Sequence, residues 1–72
     1  MAKLPDVTSK EVVKVLEKFG FIETRMKGAH KVLKRENIIV VVPIHNKSVG
    51  KGLLKSILRQ ANLTVEEFIN EL

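Results

Sequence analysis

Five consecutive β-branched residues, Ile38-Ile39-Val40-Val41-Val42, run directly into Pro43. Such side chains are stiff at χ1 and suit a pleated, half-buried surface, so the run commits the middle of the chain to a strand. Proline has no N–H to give to a ladder, and pairing is expected to end at Pro43. Two further strand-like runs come before it, Phe21 to Lys27 and His30 to Arg35. Gly28-Ala29 joins the first to the second and Glu36-Asn37 turns the second into the third. Turns this short between successive runs predict an antiparallel meander.

Helical signals flank the meander. Thr8 and Glu11 have capping-box spacing, with Val7 and Val12 placed as a hydrophobic staple across them. The first helix is expected to run to about Phe19, with Val12, Leu16 and Phe19 on one stripe, and to stop at Gly20. Beyond Pro43, residues Ile44 to Ser48 read as a loop. A second helix should begin near Val49 or Gly50 and continue to Ala61, with Leu53, Leu54, Ile57, Leu58 and Ala61 as its apolar face. Asn62 suits a left-handed position after it, and Thr64 with Glu67 repeats the capping box for a short helix through Leu72. The order is α-β-β-β-α plus a short α. It predicts an α+β fold whose helices pack on one face of a three-stranded antiparallel sheet.

With 72 residues and neither repeat nor linker, one domain over residues 1–72 is expected. At this size folding buries only about 60% of the unfolded chain's surface, so stability should be modest. The chain has no cysteine, which excludes disulfides, thiolate nucleophiles and Cys-ligated zinc and fits a reducing compartment, the bacterial cytoplasm by default. Its longest apolar run falls far short of the ~20 residues that cross a bilayer, and the amino terminus lacks a signal peptide's apolar segment. The formal net charge is +5 with a pI near 9.8. Such a balance favours a polyanionic partner, because neutralising phosphates releases condensed counterions.

The chemistry-bearing residues are few. His30 follows the Gly28-Ala29 turn, and Lys27 and Lys31 flank it. Imidazole titrates near neutrality, so a positioned histidine can take a proton from a ribose 2′-hydroxyl or water, or give one to a leaving 5′-oxygen. Nearby cations can stabilise a phosphorane-like transition state. His45, in the loop after Pro43, is a rival acid or base, with loop hydrogen bonding as its alternative role. Neither histidine belongs to a close ligand motif, so no metal is expected, and no Walker loop, dinucleotide fingerprint or nucleophile elbow calls for a cofactor.

Lys51, Lys55 and Arg59 recur every four residues along the second helix, with Lys47 ahead of them. That spacing stacks them as a ridge, readable as a phosphate-contacting face near a helix start or as a solvated face that keeps a small domain soluble. Gly50 and Gly52 would permit close backbone approach. There is no Tyr or Trp to stack bases, and Phe19, Phe21 and Phe68 read as core. Base-specific reading is weakly supported. Three readings follow from the residues: a ribonuclease using His30, a non-catalytic double-stranded-RNA-binding module, and an interaction domain whose basic surface meets an acidic protein.

Gly28-Ala29-His30, Val42-Pro43-Ile44-His45 and the stretch from Lys51 through Ile57-Leu58-Arg59-Gln60-Ala61 to Thr64 resemble the HicA family of toxins. The resemblance extends from about Thr8 to Phe68 and is most specific in the second helix. It implies a double-stranded-RNA-binding-domain-like fold, ribosome-independent mRNA interferase activity without a metal, and neutralisation by a HicB antitoxin. It also implies that His30 is the catalytic residue, with Gly28 shaping its turn. The family's usual Gly-Ser-His has Ala29 at its middle position here, and Asn62 stands where Gly is frequent. The oligomeric state of the free chain and the RNA sites cut are left open.

Overall fold

The capping box at Thr8 forms as its spacing predicts. In the computed structural model, which describes residues 4–44 and 48–72, the Thr8 hydroxyl accepts the Glu11 N–H at 3.2 Å while the Glu11 carboxylate accepts the Thr8 N–H at 2.9 Å. Two donors that the first helical turn leaves unpaired are thereby satisfied. The chain proceeds through β1 (Val7–Thr8), α1 (Ser9–Lys18), β2 (Ile22–Lys27), β3 (His30–Arg35), β4 (Ile38–Pro43), β5 (Ser48–Val49), α2 (Lys51–Gln60) and α3 (Val65–Asn70). Strands β2, β3 and β4 form the predicted antiparallel meander. The fold is α+β, with the α-β-β-β-α order of the double-stranded-RNA-binding layout.

Helices α1 and α2 both pack on β4. Its buried residues, Val40 and Val42, alternate with the exposed Ile39 and Val41, so both helices cover one face of the sheet. Val12, Val13, Val15 and Leu16 of α1 meet Leu54, Ile57 and Leu58 of α2, Leu33 of β3, Phe21 and Phe68 in one core. Leu53, expected on the apolar face of α2, is instead partly exposed at its margin. Strand β2 lies beyond the helices' cover and is exposed along its whole length.

Two features differ from the sequence reading. Residues Ser48–Val49, expected outside any strand, pair with Val7–Thr8 as a separate two-stranded ladder, with Val7 and Val49 opposite one another and both buried. Strands of two residues have no periodicity to betray them. Strand β4 ends at Pro43 as expected, with this residue opposite His30, and just beyond it the Ile44 N–H donates to the Ala29 carbonyl at 2.7 Å. Because Ile44 points its N–H at β3, the alternation of a strand turns the nitrogen of Pro43 outward at the sheet edge, where no donor is needed. Finally, the register of β2 on β3 shifts between Glu23 and Arg25, a bulge centred on Thr24, whose hydroxyl donates to the Val32 carbonyl at 3.2 Å.

Asn62 takes the left-handed conformation foreseen for it, with φ of 60°. One contact had no sequence signal: the Arg35 guanidinium lies 4.8 Å above the Phe21 ring and donates to the Phe19 carbonyl at 2.7 Å. It thus closes the end of α1 from the far end of β3.

Candidate functional site

The turn that presents His30 is held at three points. Lys27 and His30 are the last opposed pair of β2 and β3, and His30 lies opposite Pro43 on its other side. Gly28 has φ of +59°, while Ala29, the second turn residue, stays out of the left-handed region. Positive φ at the first central position alone is the pattern of a type II′ hairpin, which demands glycine there and accepts ordinary residues second. A Cβ on Gly28 would meet nothing within 4 Å, so the demand is conformational and not spatial. The hydrogen bond from Ile44 to the Ala29 carbonyl stitches the turn to the exit of β4. His30 stands exposed on the sheet face away from the helices, with Lys27 beside it in register.

Lys31 is separated from His30 by the pleat. It points to the helical face, where its ammonium lies 3.2 Å from the Glu23 carboxylate. There it also lines a cleft between α1 and the sheet with Ser9, Lys10, Lys14, Glu17 and Ile44. The sequence alone places Lys10 on a solvated helix face and does not single out Lys14. Their spacing of four is the available signal, but nothing in the sequence ties that face to Lys31. Arg25, two residues before Lys27 in unbroken register, shares His30's face by alternation.

Lys51, Lys55 and Arg59 are exposed as a ridge beside the buried face of Leu54, Ile57 and Leu58. Gly50 caps this helix without a side-chain hydrogen bond, and its first turn carries no acid. The other two helix starts are closed by capping boxes. Among the described residues no side chain caps the start of α2, which sets the positive end of the helix dipole beside Lys51. Since β5 pairs with β1 immediately before α1, and α1's first turn shares the cleft with Lys31 and Ile44, both helix starts gather at the end of the sheet where His30 turns. Arg59 lies about 12 Å further along α2 than Lys51, at 1.5 Å per residue. It borders a groove with Lys55, Asn62 and Thr64 at the junction with α3. Lys27, Gly28 and His30 thus share one turn, while Lys51 and Arg59 belong to a helix packed on the other face of the sheet. His45 and Lys47 lie outside the described residues.

A family model described as the HicA toxin of bacterial toxin–antitoxin systems matches residues 9–63. The chain belongs to the HicA toxin family. The match begins at the first residue of α1 and ends just past Asn62, so it takes in the whole meander, the His30 turn and the α2 ridge. No curated protein matches the chain. Membership makes the chain the toxin of a toxin–antitoxin pair, and so implies an antitoxin as partner. Among the described residues no helix is long and apolar enough to cross a membrane, and no group of three or more His, Cys, Asp or Glu side chains is placed to hold a metal.

Proposed function

We propose that this HicA toxin is an endoribonuclease that cleaves mRNA with His30 as general acid or base, and that a HicB-like antitoxin restrains it. One observation carries the reading: the family match spans a turn that holds an exposed imidazole in register with a lysine, at the end of the domain where α2 begins uncapped. In the reaction, a ribose 2′-oxygen or a water attacks phosphorus in line and the 5′-oxygen leaves. His30 removes the proton from the nucleophile or delivers one to the departing oxygen. Lys27 stands on the same face to stabilise the charge that builds on the non-bridging oxygens. Lys51 and Lys55 hold flanking phosphates from the α2 start. Lys31, with Lys10 and Lys14, offers a second group of cations on the other face of the sheet, and Arg59 a more distant one.

Ala29 is compatible with this role. Its φ is ordinary, so alanine in place of the family's serine leaves the turn unstrained. The rival reading, a non-catalytic double-stranded-RNA binder, draws on one feature: no ion pair or hydrogen bond from the described residues orients the imidazole. One experiment divides the two. Native protein and His30→Ala are incubated with a long unstructured mRNA in metal-free buffer, following cleavage and binding. The nuclease reading expects cleavage to fall about 10²–10⁴-fold in the variant with RNA affinity kept. Binding without cleavage by either protein would establish the rival. Lys51→Ala with Lys55→Ala should lower both RNA affinity and its salt slope, the slope by about 0.7–0.9 for each phosphate no longer neutralised. A purely solubilising ridge would leave both unchanged.

A further inference from the structure

Beside α1 the helical side of the sheet is not fully closed. A cleft with a volume of about 630 Å³ opens there, within the size range of sites that hold small molecules. Its floor is apolar: Val13 is buried in it and Ile44 half-buried. Its rim carries three ammonium groups from two elements, Lys10 and Lys14 on α1 and Lys31 on β3. Lys10 and Lys14 stand one helical turn apart, and among the described residues neither is paired with a carboxylate. Lys31 is held by Glu23 at 3.2 Å, and an ammonium with three donors keeps capacity for a ligand.

The charges are sorted along the cleft. Glu17 also lines it, seven residues beyond Lys10 and so about 10 Å further along α1. A bare phosphate has no use for that acceptor. A nucleotide uses every part of the site: phosphate on the lysines, the base or sugar face on Val13 and Ile44, and a hydroxyl or amino donor on Glu17.

The cleft is joined to the His30 turn through the backbone. Ile44, in its floor, donates its N–H to the Ala29 carbonyl at 2.7 Å, and Lys31, in its rim, follows His30 along β3. Successive strand residues face opposite ways, so His30 and Lys31 address the two sides of the sheet at one place. A polynucleotide that meets both has to cross the Gly28-Ala29 turn. No described residue lies within 4 Å of where a Cβ on Gly28 would stand, so the crest of that turn is open. A double helix cannot follow this path: even DNA keeps its direction over about 500 Å, and the whole domain is 34 Å in its longest extent.

We propose that the α1 cleft binds a nucleotide of the same RNA strand that is presented to His30, so that the protein takes its RNA unpaired and wrapped over the Gly28-Ala29 turn. The double-stranded-RNA-binding layout thus serves a strand that is not double. The inference rests on the chain acting on RNA, and not on the chemistry assigned to His30.

The test measures fluorescence anisotropy of a labelled unstructured RNA and of a duplex of the same length, between 0.1 and 1 M salt. The parent protein is His30→Ala, which leaves the strand whole, and to it are added Lys10→Gln with Lys14→Gln or, as a charge control outside the cleft, Lys18→Gln. All three lysines are exposed, so thermal melts should match the parent; Lys14→Gln carries the test alone if the pair fails to fold. The paired substitution should lower the salt slope for the unpaired strand by about 1.4, two phosphates at about 0.7 each. That is an affinity loss about 25-fold greater at 0.1 M than at 1 M salt. Duplex affinity and the Lys18→Gln slope should stay as in the parent. An unchanged slope on the unpaired strand overturns the proposal. So does an equal loss on the duplex, which makes α1 a general phosphate surface, or an equal loss in Lys18→Gln, which makes the effect one of net charge. Cleavage by the native protein is followed separately: its absence removes the nuclease reading and leaves this comparison intact, whereas a parent that binds neither RNA overturns the proposal together with the RNA reading beneath it.

Discussion

The two faces of the meander are built from the same three strands and carry opposite instructions. On the inner face Leu33, Val40 and Val42 are buried under α1 and α2, and the one acid there, Glu23, is paired with Lys31. On the outer face the same strands leave Ile22, Ile39 and Val41 in water among cations and no carboxylate, with His30 at one end. The inner face is explained by folding alone. What folding does not explain gathers on the outer face.

The sharpest way to break this comparison is to truncate one residue on each side. Leu33 is fully buried, and Leu33→Ala should cost about 2–5 kcal/mol, from reduced burial and the cavity left behind. In a domain this small that is a large part of its total stability. Ile39→Ala on the outer face should stay within about 0.5 kcal/mol, as exposed substitutions do. Urea unfolding followed by circular dichroism measures both. Equal losses would mean that the outer face supports the fold, and the division of labour would fail.

The His30 turn gives the next effect. Gly28→Ala puts a Cβ on a residue at φ +59° and should cost about 1–2 kcal/mol. The space around Gly28 is open, so the loss reports backbone strain alone and should come with a displaced imidazole: cleavage would fall further than the melting temperature predicts. A smaller effect belongs to the Glu23–Lys31 pair, 3.2 Å apart at a partly exposed site. Glu23→Gln should cost about 0.2–1 kcal/mol, less at high salt.

Legibility in the sequence follows the range of the interaction. Both capping boxes, the three strands, the two tight turns and the left-handed Asn62 are set by residues within a few positions of one another, and each is visible as spacing or residue type. The β1–β5 ladder joins residues about forty apart through two-residue strands, and Arg35 reaches across the domain to the Phe19 carbonyl. No local pattern encodes either. The site is half legible for the same reason. His30 and Lys27 are readable because a two-residue turn opposes them, whereas the separation of Lys31 from His30 follows from the pleat, and the company of Ile22 depends on a bulge. Alternation in Ile22-Glu23-Thr24-Arg25-Met26-Lys27 gives no warning of that bulge.

The two turns of the meander supply the smallest prediction and a control on the others. Each places its first central residue in the left-handed region, Gly28 at φ 59° beside His30 and Glu36 at φ 54° at the opposite end of β3. Only the first uses glycine. An L-residue held there costs about 1–2 kcal/mol relative to ordinary backbone, while glycine gives back about 0.5–1 kcal/mol through a wider unfolded ensemble. Glu36→Gly should therefore stabilise the chain by a few tenths of a kcal/mol to about 1, read as a rise in the urea midpoint at constant slope. Since Glu36 sits at the end of the sheet away from His30, cleavage should not change. A gain in stability with altered cleavage would show the two ends of the meander to be coupled, and the His30 turn could then no longer be treated as an independent device.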